Sequence, residues 1–478
     1  MLFNSTGFLI FLPVVFILYW LINNNLRLQN ILLLVASYYF YACWDYRFLF
    51  LLIFSTLLDY FTGLKMDASV DPRKRKTWFW LSVLVNLGFL GVFKYFNFFA
   101  ESFADAVAHV GFKIDVWTLN VILPVGISFY TFHGLSYVID IYNRKIKPER
   151  NYIDYAVFVS FFPLLVAGPI ERATHLLPQI LKQRKFEFHD SIRGIELIIW
   201  GFFKKVVIAD TMAIIVNQVY KDAGHFSGSS LTIAALAFSF QIYCDFSGYS
   251  DIAIGTAKLF GIELMQNFNY PYLSRNIAEF WKRWHISLSS WFRDYLYIPL
   301  GGSKVSRLLS LRNVFIVFLV SGIWHGANWT FVVWGGIHAA LFIPSFISGS
   351  NKKFRDELIS RISPLPSLYD LFRIAVTFVL VTIAWIFFRS TSLVNAFDFL
   401  ARIFNRADGN EIIFKNADLL SYSICFSVFF LMSIYLLYVK RQVFESGIIQ
   451  RFLICLMLLV LIAFFGQFSA QTFIYYQF

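Results

Sequence analysis

Two histidines in this chain stand where a purely structural role leaves something unexplained. His325 lies in Ser321-Gly-Ile-Trp-His-Gly-Ala-Asn-Trp-Thr330, at a glycine-bracketed break between two apolar runs. A histidine at membrane depth is by default a functional group, and desolvation favours the neutral imidazole, which can accept a proton. Gly326 allows a tight turn or a close backbone approach beside it. His285 lies in the stretch 269–294, which is too polar to span a membrane. At helical spacing Trp281, Trp284, His285, Leu288 and Phe292 share one face. That predicts a helix lying at the interface or dipping into the protein, with Arg and Lys on its wet side. An aromatic membrane belt accounts for the tryptophans but not for His285.

A third polar cluster, Gln241-Ile-Tyr-Cys-Asp-Phe-Ser-Gly-Tyr-Ser-Asp251, interrupts an apolar run. Ionisable groups there must be paired or face a water-filled cavity. For Ser247 and Tyr249, interhelical hydrogen bonding is the competing reading. His338, beside Gly335-Gly336, is expected to pack or hydrogen-bond, and His133 to pair with Tyr130 or Tyr137. The remaining histidines fall in polar or amphipathic stretches. The sequence has no HExxH, Walker, GxGxxG or GxSxG pattern, so nothing calls for zinc, a phosphate loop or a serine nucleophile. Cys43, Cys244, Cys425 and Cys455 are far apart in or beside apolar runs, and read as small buried side chains.

The elements that must position these groups follow from composition. Of 478 residues, 58% are hydrophobic and only 15% charged, against about 25% charged in soluble domains. A soluble enzyme and a disordered chain are both excluded. Runs near the length of a membrane helix occur at 6–22, 31–44, 47–64, 78–99, 118–142, 152–170, 230–256, 311–325, 327–348, 371–389, 420–439 and 452–468. The stretch 193–216 is interrupted by Lys204-Lys205, so about eleven to thirteen spans are expected. The first run lacks a preceding Lys or Arg and a small-residue cleavage site, and reads as a retained helix. Region 171–193 is basic and amphipathic and is expected at the interface.

The net charge of +12 reads as topology charge and not as a nucleic-acid surface. Loop 65–76 carries five basic residues and loop 143–150 four, so both are expected in the cytoplasm; the acidic loop 100–117 between them is expected outside. Counting spans from these loops puts both termini outside. No inverted repeat is visible, and one membrane domain over 1–478 is the economical reading, with 241–340 as its centre.

Taken in order, several stretches resemble the membrane-bound O-acyltransferase (MBOAT) family in its bacterial AlgI-like branch. They are Met1-Leu-Phe-Asn-Ser5, Pro124-Val-Gly-Ile-Ser-Phe-Tyr-Thr-Phe132, Ala167-Gly-Pro-Ile-Glu-Arg172, Asp245-Phe-Ser-Gly-Tyr-Ser-Asp-Ile-Ala-Ile-Gly255, Phe280-Trp-Lys-Arg-Trp-His285, Tyr297-Ile-Pro-Leu-Gly-Gly302, Gly322-Ile-Trp-His-Gly326 and Phe473-Ile-Tyr-Tyr-Gln-Phe478. The resemblance implies an all-α polytopic fold with interfacial or re-entrant helices around a central tunnel. It implies transfer of an acyl group from a cytoplasmic donor to a hydroxyl, with His325 as principal catalytic histidine and His285 as the second active-site position. No bound cofactor or metal is implied; the donor is expected to be acetyl-CoA, with its phosphates near the basic residues between Arg275 and Arg312, unless those are topology charge.

The aromatic tail 469–478 is expected outside the membrane. Tyr475 is favoured over Tyr476 as an acyl carrier, with an interfacial anchor as the alternative. The resemblance further implies that the acetyl group passes to an extracytoplasmic SGNH-type transferase acting on a polysaccharide, in a bacterial inner membrane. Expected substrate contacts are Asp245, Ser247 and Tyr249, then Trp281 and Arg283, then Trp324 and Asn328. Three other readings stay open: DltB-like D-alanyl transfer to teichoic acid, a transporter or flippase using Asp245, Asp251 and His325 as a path, and a structural scaffold.

Overall fold

The computed structural model describes residues 1–112, 114, 117–119, 123–165, 168–349, 366–412, 422–433, 447–468, 473 and 474. Among these, the chain is built from helices and carries no β-strand beyond one isolated bridge, Phe226 with Asn410. Six described helices are long and apolar enough to cross a membrane: Tyr46–Ala68, Pro72–His109, Gly228–Leu259, Arg307–His325, Trp329–Ile347 and Leu368–Arg389. The protein is an all-α polytopic membrane protein. Its chain forms two compact units, Met1–Ile195 with Ala253–Met265, and Glu196–Ile252 with Gln266–Phe478.

In the first unit, polar caps start the helices. Ser5, Asn25, Asp45 and Asp71 each accept a backbone N–H of the following turn, satisfying donors that a helix start leaves orphaned. Inside the unit, Asp59 Oδ1 accepts from Ser82 Oγ at 2.5 Å and Asn86 Nδ2 at 2.8 Å, and Ser55 Oγ donates to Asn86 Oδ1 at 2.6 Å. These neutral partners tie Tyr46–Ala68 to Pro72–Leu90 at a depth where water is excluded.

Two expected spans are shorter than the hydropathy suggests. In 118–142 the described helix begins only at Ile127. Gly126, at φ +76, turns the chain there, and a Cβ on it would lie 2.2 Å from the Leu165 carbonyl oxygen. The run 152–170 breaks after Ser160, where Phe161 is non-helical and Pro163 follows. Residues 155–165 of this run are buried in protein, where irregular backbone at membrane depth is tolerated. Cys43 is exposed, contrary to the expectation of burial, while Cys244 and Cys425 are buried. His133 also departs from expectation: its Nε2 accepts the Glu171 backbone N–H at 3.1 Å, in place of a tyrosine pairing.

In the second unit, a π-helical turn at Phe203–Ala209 carries Lys204 and Lys205, both buried. Such turns insert a residue into a helix and recur at functional sites. Lys204 Nζ donates to Ser247 Oγ at 2.9 Å and pairs with Asp251 at 2.7 Å. Lys205 Nζ pairs with Asp210 at 2.7 Å and Asp245 at 2.9 Å. The two lysines that interrupt the hydropathy of 193–216 are thus neutralised inside the protein, as buried charges must be.

Candidate active site

The stretch expected to form one helix through His285 is two short helices, Ile277–Arg283 and Ile286–Phe292. His285 stands at the break with φ +42, a left-handed conformation that a non-glycine residue rarely adopts. The break separates side chains that a continuous helix would have placed on one face. Trp281 turns to His338, while Trp284 packs with Phe268 and Trp385. Strain of this kind persists only where surrounding contacts over-determine it, and it clusters at active sites.

Those contacts fix the chemistry of His285. Asn267 Nδ2 donates to Ser250 Oγ at 3.1 Å, so its Oδ1 is the acceptor for Ser287 Oγ at 2.9 Å. The same Oδ1 lies 3.0 Å from His285 Nδ1. The imidazole therefore donates from Nδ1 and carries its lone pair on Nε2, a buried atom with no hydrogen-bond partner among the described residues. Burial pushes the His285 pKa down to about 3, because a dry site disfavours the imidazolium. The result is an oriented neutral base. Asn267 is the candidate site residue that sequence reasoning missed; its only signal was a polar stretch, Gln266-Asn-Phe-Asn269, before the His285 segment.

His325 closes the helix Arg307–His325. The following Gly326 is required by packing, since a Cβ there would lie 2.1 Å from the Phe331 ring. The His325 ring is 3% exposed and packs 5.0 Å from Trp334 and 5.3 Å from Phe388. The Trp324 indole lies 4.9 Å from the His325 ring and 5.9 Å from the His285 ring. The two histidines, forty positions apart in sequence, thus share one tryptophan. Trp334 also packs against His338, with ring centres 4.9 Å apart. Its Nδ1 accepts from Trp281 Nε1 at 3.2 Å, and because an indole N–H can only donate, the His338 proton is on Nε2.

The remaining predicted contacts fall in different surroundings. Asp245 and Ser247 are bound by Lys205 and Lys204. Tyr249 is buried against Phe473, at 4.4 Å. Arg283 pairs with Glu279 at 3.0 Å in the interior. Asn328 caps Trp329–Ile347 through Thr330 N–H and donates to the Thr391 carbonyl. Of the basic residues near the expected donor face, Arg275 pairs with Glu279 and Arg293 with Asp294. Tyr475 and Tyr476 lie outside the described residues, but Phe473 and Ile474 just before them are fully buried. Phe473 also packs 5.9 Å from Phe246, whose ring stands edge-on to His285 at 4.6 Å. Among the described residues no three His, Cys, Asp or Glu side chains are grouped to hold a metal ion.

Known proteins place this chain in a family. Residues 144–350, which include both histidines, match the model of the MBOAT, membrane-bound O-acyltransferase family. The probable alginate O-acetylase AlgI of Pseudomonas syringae pv. tomato is 42% identical over 395 residues, covering 82% of this chain and 73% of the relative. The chain belongs to the membrane-bound O-acyltransferase family. Another relative, the peptidoglycan O-acetyltransferase of Helicobacter pylori, is 36% identical over 427 residues, covering 83% of this chain and 78% of the relative. The teichoic acid D-alanyltransferase of Bacillus subtilis is 31% identical over 248 residues, covering 49% and 62%. As an MBOAT protein the chain is an acyltransferase, and its oriented, dry imidazole suits removal of a hydroxyl proton during acyl transfer.

Proposed function

We propose that this protein takes an acetyl group from cytoplasmic acetyl-CoA and delivers it across the bacterial inner membrane for O-acetylation of an exported or cell-wall polysaccharide. His325 and His285 form the catalytic pair. An imidazole accepts the proton of the attacking hydroxyl as its oxygen bonds to the thioester carbonyl carbon. The carbon–sulfur bond then breaks, and the proton passes to the departing CoA sulfur. General-base help of this kind contributes roughly 10²–10⁴-fold. The attacking hydroxyl is that of Tyr475, which carries the acetyl ester to an extracytoplasmic SGNH-type transferase. Both chain termini face outward, following the basic loops 65–76 and 143–150.

The observation that carries this reading is the burial of Phe473-Ile474, with Phe473 packed on Phe246, whose ring stands edge-on to His285: the residues leading into Tyr475 are linked to the imidazole through one aromatic ring. The acetylase names of the Pseudomonas syringae and Helicobacter pylori relatives favour acetyl and a polysaccharide acceptor. The Bacillus subtilis relative supports D-alanyl transfer as the second reading, and incubation with acetyl-CoA or a D-alanyl carrier separates the two. A transporter path through Asp245 and Asp251 is less well supported, because both carboxylates are engaged by lysines. The deciding experiment is mass spectrometry of the C-terminal peptide after incubation with labelled acetyl-CoA. Label on Tyr475 is expected. Label on Tyr476 alone moves the carrier by one residue, and transfer with no label on the tail overturns the relay.

A further inference from the structure

The tail contact has a polar half that the acyl-transfer chemistry does not use. Ile474 N–H donates to Asp245 Oδ2 at 2.8 Å, 229 positions apart in sequence and buried. The other oxygen of that carboxylate, Oδ1, is 2.9 Å from Lys205 Nζ, which also pairs with Asp210. Lys205 Nζ lies 5.5 Å from the centre of the Tyr249 ring, the ring on which Phe473 packs. A second backbone bond ties the same segment to the same π-helical turn: Gln467 N–H donates to the Val206 carbonyl at 2.8 Å.

We propose that Lys205 and Asp245 form a built seat for the C-terminal segment, with Asp245 as the positioning residue that holds Ile474 and so sets where the residues after it are delivered. The lysine fixes one carboxylate oxygen, which leaves the other aimed at a single backbone N–H. The specificity of the seat is for main chain plus an aromatic ring: a backbone amide at 474 and a phenyl group at 473. This explains why the helix Gly228–Leu259 contributes Asp245 to a costly buried ion cluster, one residue before Phe246, whose ring meets His285. An ion pair needed only to bind two helices together would not require a carboxylate oxygen turned to a distant segment. The consequence for activity rests on the reading of Tyr475 as carrier; the seat itself does not.

Hydrogen–deuterium exchange of the full-length protein in lipid nanodiscs tests the seat directly, read on peptides covering 467–478. Removal of a buried acceptor predicts that Asp245→Ala speeds exchange of this peptide about tenfold or more, with the peptides of Gly228–Leu259 unchanged. Asp245→Asn keeps an acceptor oxygen and is expected to stay within about threefold of wild type. Unchanged protection in Asp245→Ala overturns the proposal. So does faster exchange spread equally over Gly228–Leu259 in both variants, which would make Asp245 a fold stabiliser only. Acetyl labelling of the tail is expected to fall with protection in Asp245→Ala and to return in Asp245→Asn. A Tyr475→Phe/Tyr476→Phe double variant separates the two readings, since its tail peptide stays protected if the seat is real. Normal acetyl transfer by that variant sinks the carrier and leaves the seat standing.

Discussion

His133 and His285 are both fully buried histidines, and they are wired in opposite senses. At His133 the Nε2 lone pair is occupied by the Glu171 backbone N–H, so the ring joins Ile127–Tyr142 to the segment before Ala173–Ile180 and has no basic nitrogen left. At His285 the Nδ1–H donates to the Asn267 amide oxygen, and the Nε2 lone pair has no partner among the described residues. Burial alone therefore does not mark a catalytic histidine. What distinguishes the two is which nitrogen the surrounding protein has already engaged.

The largest expected difference is catalytic. His285→Ala and His325→Ala should each lower acetyl transfer by roughly 10²–10⁴-fold, whereas His133→Gln should leave it within about tenfold. Comparable losses at His133 and His285 in a transfer assay would break the distinction. Next comes the orienting amide. Asn267→Ala should cost about 10- to 100-fold in kcat, as removal of an outer partner of a functional histidine does, with KM for the donor little changed. An unchanged kcat would show that His285 orients itself.

The smallest effect is on stability against pH. The His285 pKa is about 3 in the fold, against about 6.5 in the unfolded chain. Between these values the unfolded state binds the proton and the folded state does not, so stability falls as pH drops from about 6.5 toward 3. Its contribution is fully present above about pH 6.5. Thermal unfolding of His285→Gln, followed from pH 7 to 4, should show a shallower decline than wild type. Parallel curves would place the acid sensitivity elsewhere.

Much of this molecule was legible in its residue order. The hydropathy of runs such as 47–64, 311–325 and 371–389 reappears as the helices Tyr46–Ala68, Arg307–His325 and Leu368–Arg389. Hydropathy failed where apolar residues are buried in protein and not in lipid: 152–170 reads as one span and is a broken segment. It also misjudged Lys204-Lys205, which interrupt an apolar run only until their carboxylate partners are in place. Helical spacing failed at 281–292, because periodicity cannot report the left-handed residue that divides the face at His285.

Composition and apolar run length suffice to read a polytopic membrane protein, and the ordered motifs carry the resemblance to an acyltransferase family and single out His285 and His325, since those properties reside in residue types and their local order. The shared Trp324, the Asn267 bond that assigns the His285 proton, and the Lys205–Asp245 contact with Ile474 depend on groups 18 to 269 positions apart (267 to 285 and 205 to 474). A lone pair or a carboxylate oxygen acquires its role from the neighbour that folding brings within about 3 Å of it, and no local pattern encodes that neighbour.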